Sequence, residues 1–199
     1  MNQVIYLRAL SDSSVAPCLV LVDMQQEYAA GSRLMALPNA EEALANCRAV
    51  LDYARSRGFP VAFLRQVSRS AYFNPATAFS GWIRGFEPTG ADMVFEREYP
   101  SCYSSKLFAQ FMEGCGGHFA LAGFAGETAC LSTAIDAFHR GHRFSYLADA
   151  SASHRLGELS AAEVQNAVTG IVGVYGDIVS TRAWTNESPT NAELLRVRR

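Results

Sequence analysis

FALAGFAGETACLSTAIDAFHRG, residues 119–141, begins as a short apolar run (Phe119 to Ala122) and passes through a small-residue patch, Gly123-Phe124-Ala125-Gly126. It continues as a helix-like run that Gly141 stops. Strand, tight glycine turn and helix in that order belong to a parallel α/β sheet. The pattern sets Cys130 in the first turn of the helix, where unpaired backbone N–H groups gather and carry partial positive charge. That setting favours a thiolate, and the same N–H groups could hold an oxyanion opposite the sulfur. Two readings of Cys130 stand at this point: a catalytic nucleophile, or a core thiol, since free cysteine is commonly buried.

Working outward, PCLVLVD (17–23) is an apolar, β-branched run ending in an acid, the pattern of a strand buried on both faces. The spacing of Leu44, Cys47, Val50, Leu51 and Ala54 predicts a helix over 38–57, with Asn39 as its cap and Gly58 as its stop. Further strands are expected at 61–67, 91–97, 118–123, 143–149 and 176–181, and helices at 104–113, 128–140 and 158–172. A short strand at Val4–Leu7 and a terminal helix from Asn191 are also expected. Residues 68–90 have no sustained period; a loop this long in a compact domain usually serves binding or covers a site. The expectation is a three-layer αβα fold around a doubly wound, mainly parallel six-stranded sheet of Rossmann-like type, in one domain over 1–199.

In such sheets ligands bind beyond the carboxyl ends of the strands, near the point where strand order reverses. The chemistry-bearing residues at those ends are Asp23, Arg65, Arg97, the turn before Cys130, and Asp149. An acid, a guanidinium and a thiol thus share one edge. Asp23 suits a general base for the thiol. Arg97 suits a fixed cation that orients Asp23 and steadies the thiolate, but it cannot relay a proton.

The 199 residues, 49% of them hydrophobic, are enough for one sizeable core, and the net charge of −2 points to neither nucleic acid nor a membrane surface. The five cysteines include no C-x-x-C pair and no secretory signal precedes them, which predicts free thiols in the cytoplasm. There is no P-loop, no G-x-S-x-G and no histidine spacing suited to a metal.

With Asp23, Arg97 and Cys130 in place, the chain resembles the isochorismatase-like cysteine hydrolases, a superfamily that includes nicotinamidases, N-carbamoylsarcosine amidohydrolases and isochorismatases. The likeness runs from about 17 to 181. CLVLVDMQQEY is similar to the first strand with its catalytic aspartate, PSCYSSKLF to the segment usually read S-A-F, GETACLSTAIDAF to the nucleophile helix and LADASAS to the fifth-strand end. The resemblance implies an Asp-Lys-Cys triad. The lysine position, four residues before Ser101, is Arg97 here, and the one lysine of the chain, Lys106, falls in the following helix. It also implies a cis peptide before the nucleophile and an oxyanion hole from the N–H groups of Gly126 and Cys130, although Gly123 stands one residue further from Cys130 than the family pattern has it. Residues 65–92 lack the metal-binding histidines of nicotinamidases, so no metal and no cofactor are expected.

The function expected is hydrolysis of a C–N bond in a small amide, ureide or carbamoyl compound. The alternatives are isochorismatase-type vinyl-ether hydrolysis or a non-catalytic binding module. Trp82, Tyr103 and Phe124 are expected to line the substrate pocket, and Arg65, Arg69 and Arg84 suggest an anionic substrate. Partners are expected to be a small-molecule substrate and further copies of the chain in a homodimer or homotetramer, with specificity carried by the loop 68–90.

Overall fold

The computed structural model describes residues 17–187. The strand expected at Val4–Leu7 and the helix expected from Asn191 lie outside them. Six strands form one sheet: β1 (Cys18–Val22), β2 (Val61–Gln66), β3 (Met93–Arg97), β4 (His118–Gly123), β5 (Arg143–Ser151) and β6 (Asp177–Val179). Their order is β3-β2-β1-β4-β5-β6, and every neighbouring pair is parallel. The helices are α1 (Gln26–Ala29), α2 (Glu41–Arg57), α3 (Lys106–Gly114), α4 (Leu131–His139), α5 (Ala161–Val172) and α6 (Thr181–Glu187).

Helices cover both faces, which is why β1 is apolar at every position rather than alternating. The strand period of two divides the core. Leu19, Leu21, Val61, Phe63, Ala120 and Ala122 face α2 and α6, meeting Cys47, Val50, Leu51 and Trp184. Val20, Val22, Ala62, Leu64, Phe119 and Leu121 face α3, α4 and α5, meeting Phe108, Met112, Ala134, Val164 and Val168.

Some element ends differ from expectation. Asn39 does not cap α2: the helix starts at Glu41 behind Ala40, and Asn39 sits at φ +54. Its other end follows the sequence, with Gly58 left-handed at φ 67 and its N–H on Ala54 O and Arg55 O. The segment expected as a helix from 104 begins with a 3₁₀ turn, Cys102–Ser104, before α3. α5 starts later than expected, behind a reciprocal capping box between Ser160 and Glu163. α1 and α6 were not expected. Asp149, expected at the end of the fifth strand, lies within β5, which runs on to Ser151, and is used to start α6: its carboxylate accepts from the Thr181 N–H at 2.8 and 3.1 Å and from the Thr181 hydroxyl at 2.9 Å.

Candidate active site

The sheet order puts β1 beside β4 at the place where connections leave in opposite directions, the switch point at which open α/β sheets bind ligands. The two strand ends are locked closely. A Cβ on Gly123, at φ +120, would stand 2.1 Å from Val22 O, so only glycine fits there. Phe124 N–H then donates to the same carbonyl at 2.9 Å, and the Phe124–Ala125 peptide is cis.

Asp23 follows β1 at φ +54, a backbone region that costs a residue with a side chain on the order of 1 kcal/mol. Its neighbours hold it there. Asp23 N–H donates to Leu64 O at 2.8 Å. The buried Gln25 side chain accepts from the Gln66 N–H at 2.9 Å and donates to Gln66 O at 3.0 Å and Ser80 O at 2.9 Å, tying this turn to the end of β2.

Arg97, at the end of β3, reaches across β2 to Asp23. Its Nη2 donates to Asp23 Oδ2, and both side chains are fully buried. Arg97 Nη1 donates to Tyr99 O at 2.7 Å. Asp23 Oδ1 is buried and has no partner among the described residues. Burial pushes the Asp23 carboxyl up to about 6, and the charge of Arg97 offsets only part of that rise.

Cys130 is fully buried. It ends a π-helical turn, Gly126–Cys130, that runs directly into α4. The turn takes up the extra residue noted between Gly123 and Cys130, as π-turns at functional sites often do. In it the Ala125 carbonyl receives three N–H groups, from Thr128 (3.3 Å), Ala129 (3.0 Å) and Cys130 (3.2 Å). Gly126 N–H donates to Ala152 O at 2.9 Å. Both N–H groups expected for an oxyanion hole are therefore engaged with backbone carbonyls. The thiol lies 3.5 Å from Gly123 O and 3.8 Å from Ser151 Oγ. A register shift between β4 and β5 pairs Gly123 with Ser151 and so brings that hydroxyl to the sulfur. Burial holds the Cys130 thiol well above its ordinary value, whereas the helix start alone was expected to favour the thiolate.

The three residues expected to line the pocket separate. Phe124 is buried with its ring 6.1 Å from that of Tyr28. Trp82 packs on Phe63 at 5.5 Å with Arg65 over its ring. Tyr103 turns away from Asp23: its hydroxyl is 2.7 Å from His142 Nδ1 and Arg140 covers its ring, at the amino-terminal side of β5. Its side chain fills the α3–α4 face, which explains its burial without a substrate. Arg65 is paired with Glu96, so its charge is not left for an anion.

Three residues that sequence reasoning did not single out lie at the site. Burial pushes the Tyr28 phenol up, and Asp23, Arg97 and Glu127 lie within its electrostatic reach. Glu127, inside the π-turn, pairs with His154 at 2.7 Å. His154 also lies 3.0 Å from Met35 O, and its ring is 5.9 Å from that of Tyr28. No spacing in the sequence links positions 28, 127 and 154; only the fold brings them together.

Comparison with known proteins bears on the family and the fold. The isochorismatase domain matches residues 17–182. An isochorismatase from Pseudomonas putida KT2440 superposes with a TM-score of 0.77 at 26% identity, over 85% of this chain and 89% of that one. A cysteine hydrolase from Pseudomonas syringae pv. phaseolicola 1448A gives 0.79 at 18% identity, over 88% and 93%. N-carbamoylsarcosine amidase from Thermoplasma acidophilum gives 0.68 at 22%, over 83% and 96%. The latter two bear on the fold alone. Among curated proteins none matches significantly. The domain match spans most of the chain and the sheet carries it in full: the chain belongs to the isochorismatase family of hydrolases.

Proposed function

We propose that this family member is a cysteine hydrolase that cleaves a C–N bond of a small amide, ureide or carbamoyl compound through a thioester on Cys130. The observation that carries the reading is the state of Asp23: one carboxylate oxygen is held by Arg97, while the other is buried and uncommitted at the edge where Cys130 lies. With the Asp23 carboxyl near 6 and the thiol pushed up by burial, the resting pair near neutral pH is carboxylate and thiol. Proton transfer to Asp23 then accompanies attack of Sγ on the carbonyl carbon rather than preceding it. The C–N bond breaks as Asp23 returns the proton to the leaving nitrogen. Water, deprotonated by Asp23, hydrolyses the thioester and restores the thiol. Arg97 keeps Asp23 in place and offsets its charge without exchanging a proton.

The oxyanion role falls first on the Cys130 N–H. Its bond to Ala125 O is the third on a carbonyl with two lone pairs, so it is the easier one to exchange for a substrate oxygen. The Gly126 N–H, at 2.9 Å from Ala152 O, is the more firmly committed of the pair. No metal enters this chemistry. The test is a screen of small amides and ureides with intact-mass trapping of the intermediate. A covalent adduct on Cys130 that vanishes in Cys130→Ala together with turnover is expected; undiminished turnover in that variant overturns the mechanism.

A further inference from the structure

Two carboxylates at this site are held in the same unfinished way. Asp23 gives one oxygen to Arg97, Glu127 gives Oε1 to His154, and both remaining oxygens, Asp23 Oδ1 and Glu127 Oε2, are buried without a partner among the described residues. The Glu127 side chain is only 8% exposed. Buried acceptors left unpaired are costly, and native proteins satisfy nearly all of them.

The His154 ring fixes the charge of the second pair. Nε2 faces the Met35 carbonyl at 3.0 Å, and a carbonyl only accepts, so Nε2 carries a proton. Nδ1 faces Glu127 Oε1 at 2.7 Å, so one further proton lies between them. The hydrogen bond to Glu127 raises the imidazole above its ordinary range, which sets that proton on His154. The pair is then imidazolium and carboxylate, with no net charge, like Arg97 and Asp23. Tyr28 packs beside the second pair, its ring 5.9 Å from that of His154, and it is within electrostatic reach of both carboxylates, Asp23 and Glu127.

Building on the proposed amide chemistry, we propose that Glu127 Oε2 is a substrate-recognition group that accepts a hydrogen bond from an uncharged N–H donor, a carboxamide or ureido nitrogen, remote from the scissile carbonyl. Asp23 Oδ1 serves the reacting end and Glu127 Oε2 the distal end. Two internally neutral ion pairs offer acceptors without net charge, which fits a neutral, nitrogen-rich substrate and disfavours a carboxylate at the same place.

The experiment measures binding to Cys130→Ala protein, where the proposed thioester cannot form, by ligand-observed NMR titration. Succinamide carries a second carboxamide and butyramide does not. Succinamide is expected to bind at least about tenfold more tightly, in line with a hydrogen bond to a charged group. In Cys130→Ala/Glu127→Leu no acceptor faces the ligand, so the preference is lost. Cys130→Ala/Glu127→Met removes both acceptors and loses it as well, and thermal melting shows which of the two variants is folded. Equal binding of the two ligands, no measurable binding of either, or a preference that survives in a folded Glu127 variant overturns the proposal. Failure of the thioester mechanism shows itself separately, as turnover by Cys130→Ala without a change in these affinities.

Discussion

On the proposed mechanism, Asp23 and Arg97 together set the pH at which the site works. Burial disfavours the Asp23 carboxylate and Arg97 favours it; burial wins, leaving the carboxyl at about 6 instead of 3.8. A base with this value is protonated, and idle, below that pH. The value of kcat/KM is therefore expected to fall as pH drops through about 6, approaching tenfold per unit on the acid side. Removing the cation removes a lowering influence, so Arg97→Gln should move this limb to higher pH, whereas Arg97→Lys should leave it close to its wild-type position. A pH–rate profile on any substrate found in the screen decides the matter; a limb that stays put in Arg97→Gln would show that Asp23 is not the titrating base. The same shift has a consequence for folding. The native chain holds this proton more tightly than the unfolded chain. The contribution is thus fully present below the unfolded value of 3.8 and lost as pH rises through about 6. Ionised Asp23 is a cost to the fold, and Arg97 lessens it.

Among the elements, α6 is the one that packing rather than pattern creates. Trp184 is 5% exposed, and its ring meets Tyr53 at 5.5 Å and Phe59 at 6.0 Å, edge-on to both. Trp184→Ala is expected to cost about 3–5 kcal/mol, measured by urea unfolding. A loss below about 1 kcal/mol would mean that α6 is not part of the cooperative core. In sequence this helix sits at the head of a polar tail, with a single large apolar residue and no amphipathic repeat, so no periodicity announces it. The strands were legible for the opposite reason. CLVLV and HFALAG are covered on both faces, so burial writes itself into every position after the half-buried His118. The candidate triad was legible because strand ends are readable and the resemblance aligns them. Glu127 and His154 were not. Each is one polar residue among several, and what makes the pair distinctive is a contact across 27 positions that depends on the π-turn. The direction of the Cys130 shift was misread for a related reason: a helix start is visible in sequence, whereas complete burial of the thiol is a property of the packed molecule.

At the scale of the whole molecule, the proposed nucleophile is fully buried and must be reached, and the 68–90 loop has an identifiable latch. Phe73, in the long 68–90 loop, packs on Tyr28 at 5.2 Å, and Tyr28 packs on Phe124, just before the turn that carries Cys130, at 6.1 Å. Arg33 fastens that loop. Its Nε donates to the buried Glu27 carboxylate at 2.7 Å, its Nη2 donates to Ala71 O at 2.8 Å, and its guanidinium lies 4.4 Å from the centre of the Phe79 ring. Glu27 in turn accepts from the Phe73 N–H through its other oxygen, at 3.4 Å, so one ion pair holds both strand-end turn and loop. Arg33→Ala should loosen this cover and raise the rate at which iodoacetamide alkylates Cys130, by about tenfold or more for an opening made easier by 1.4 kcal/mol. The chain carries its own control. Cys18 is buried at the start of β1 on the α3 and α4 side of the sheet, in a cluster that includes no residue of the 68–90 loop, and becomes reactive only when the core opens. Removing Arg33 also leaves Glu27 without its cation, so some global destabilisation is expected. Peptide-resolved mass spectrometry separates the two effects. Faster labelling of Cys130 at an unchanged Cys18 rate establishes the loop as the cover of the site. Equal acceleration of both thiols would mean that Arg33 supports the fold as a whole and that access to Cys130 runs by another path.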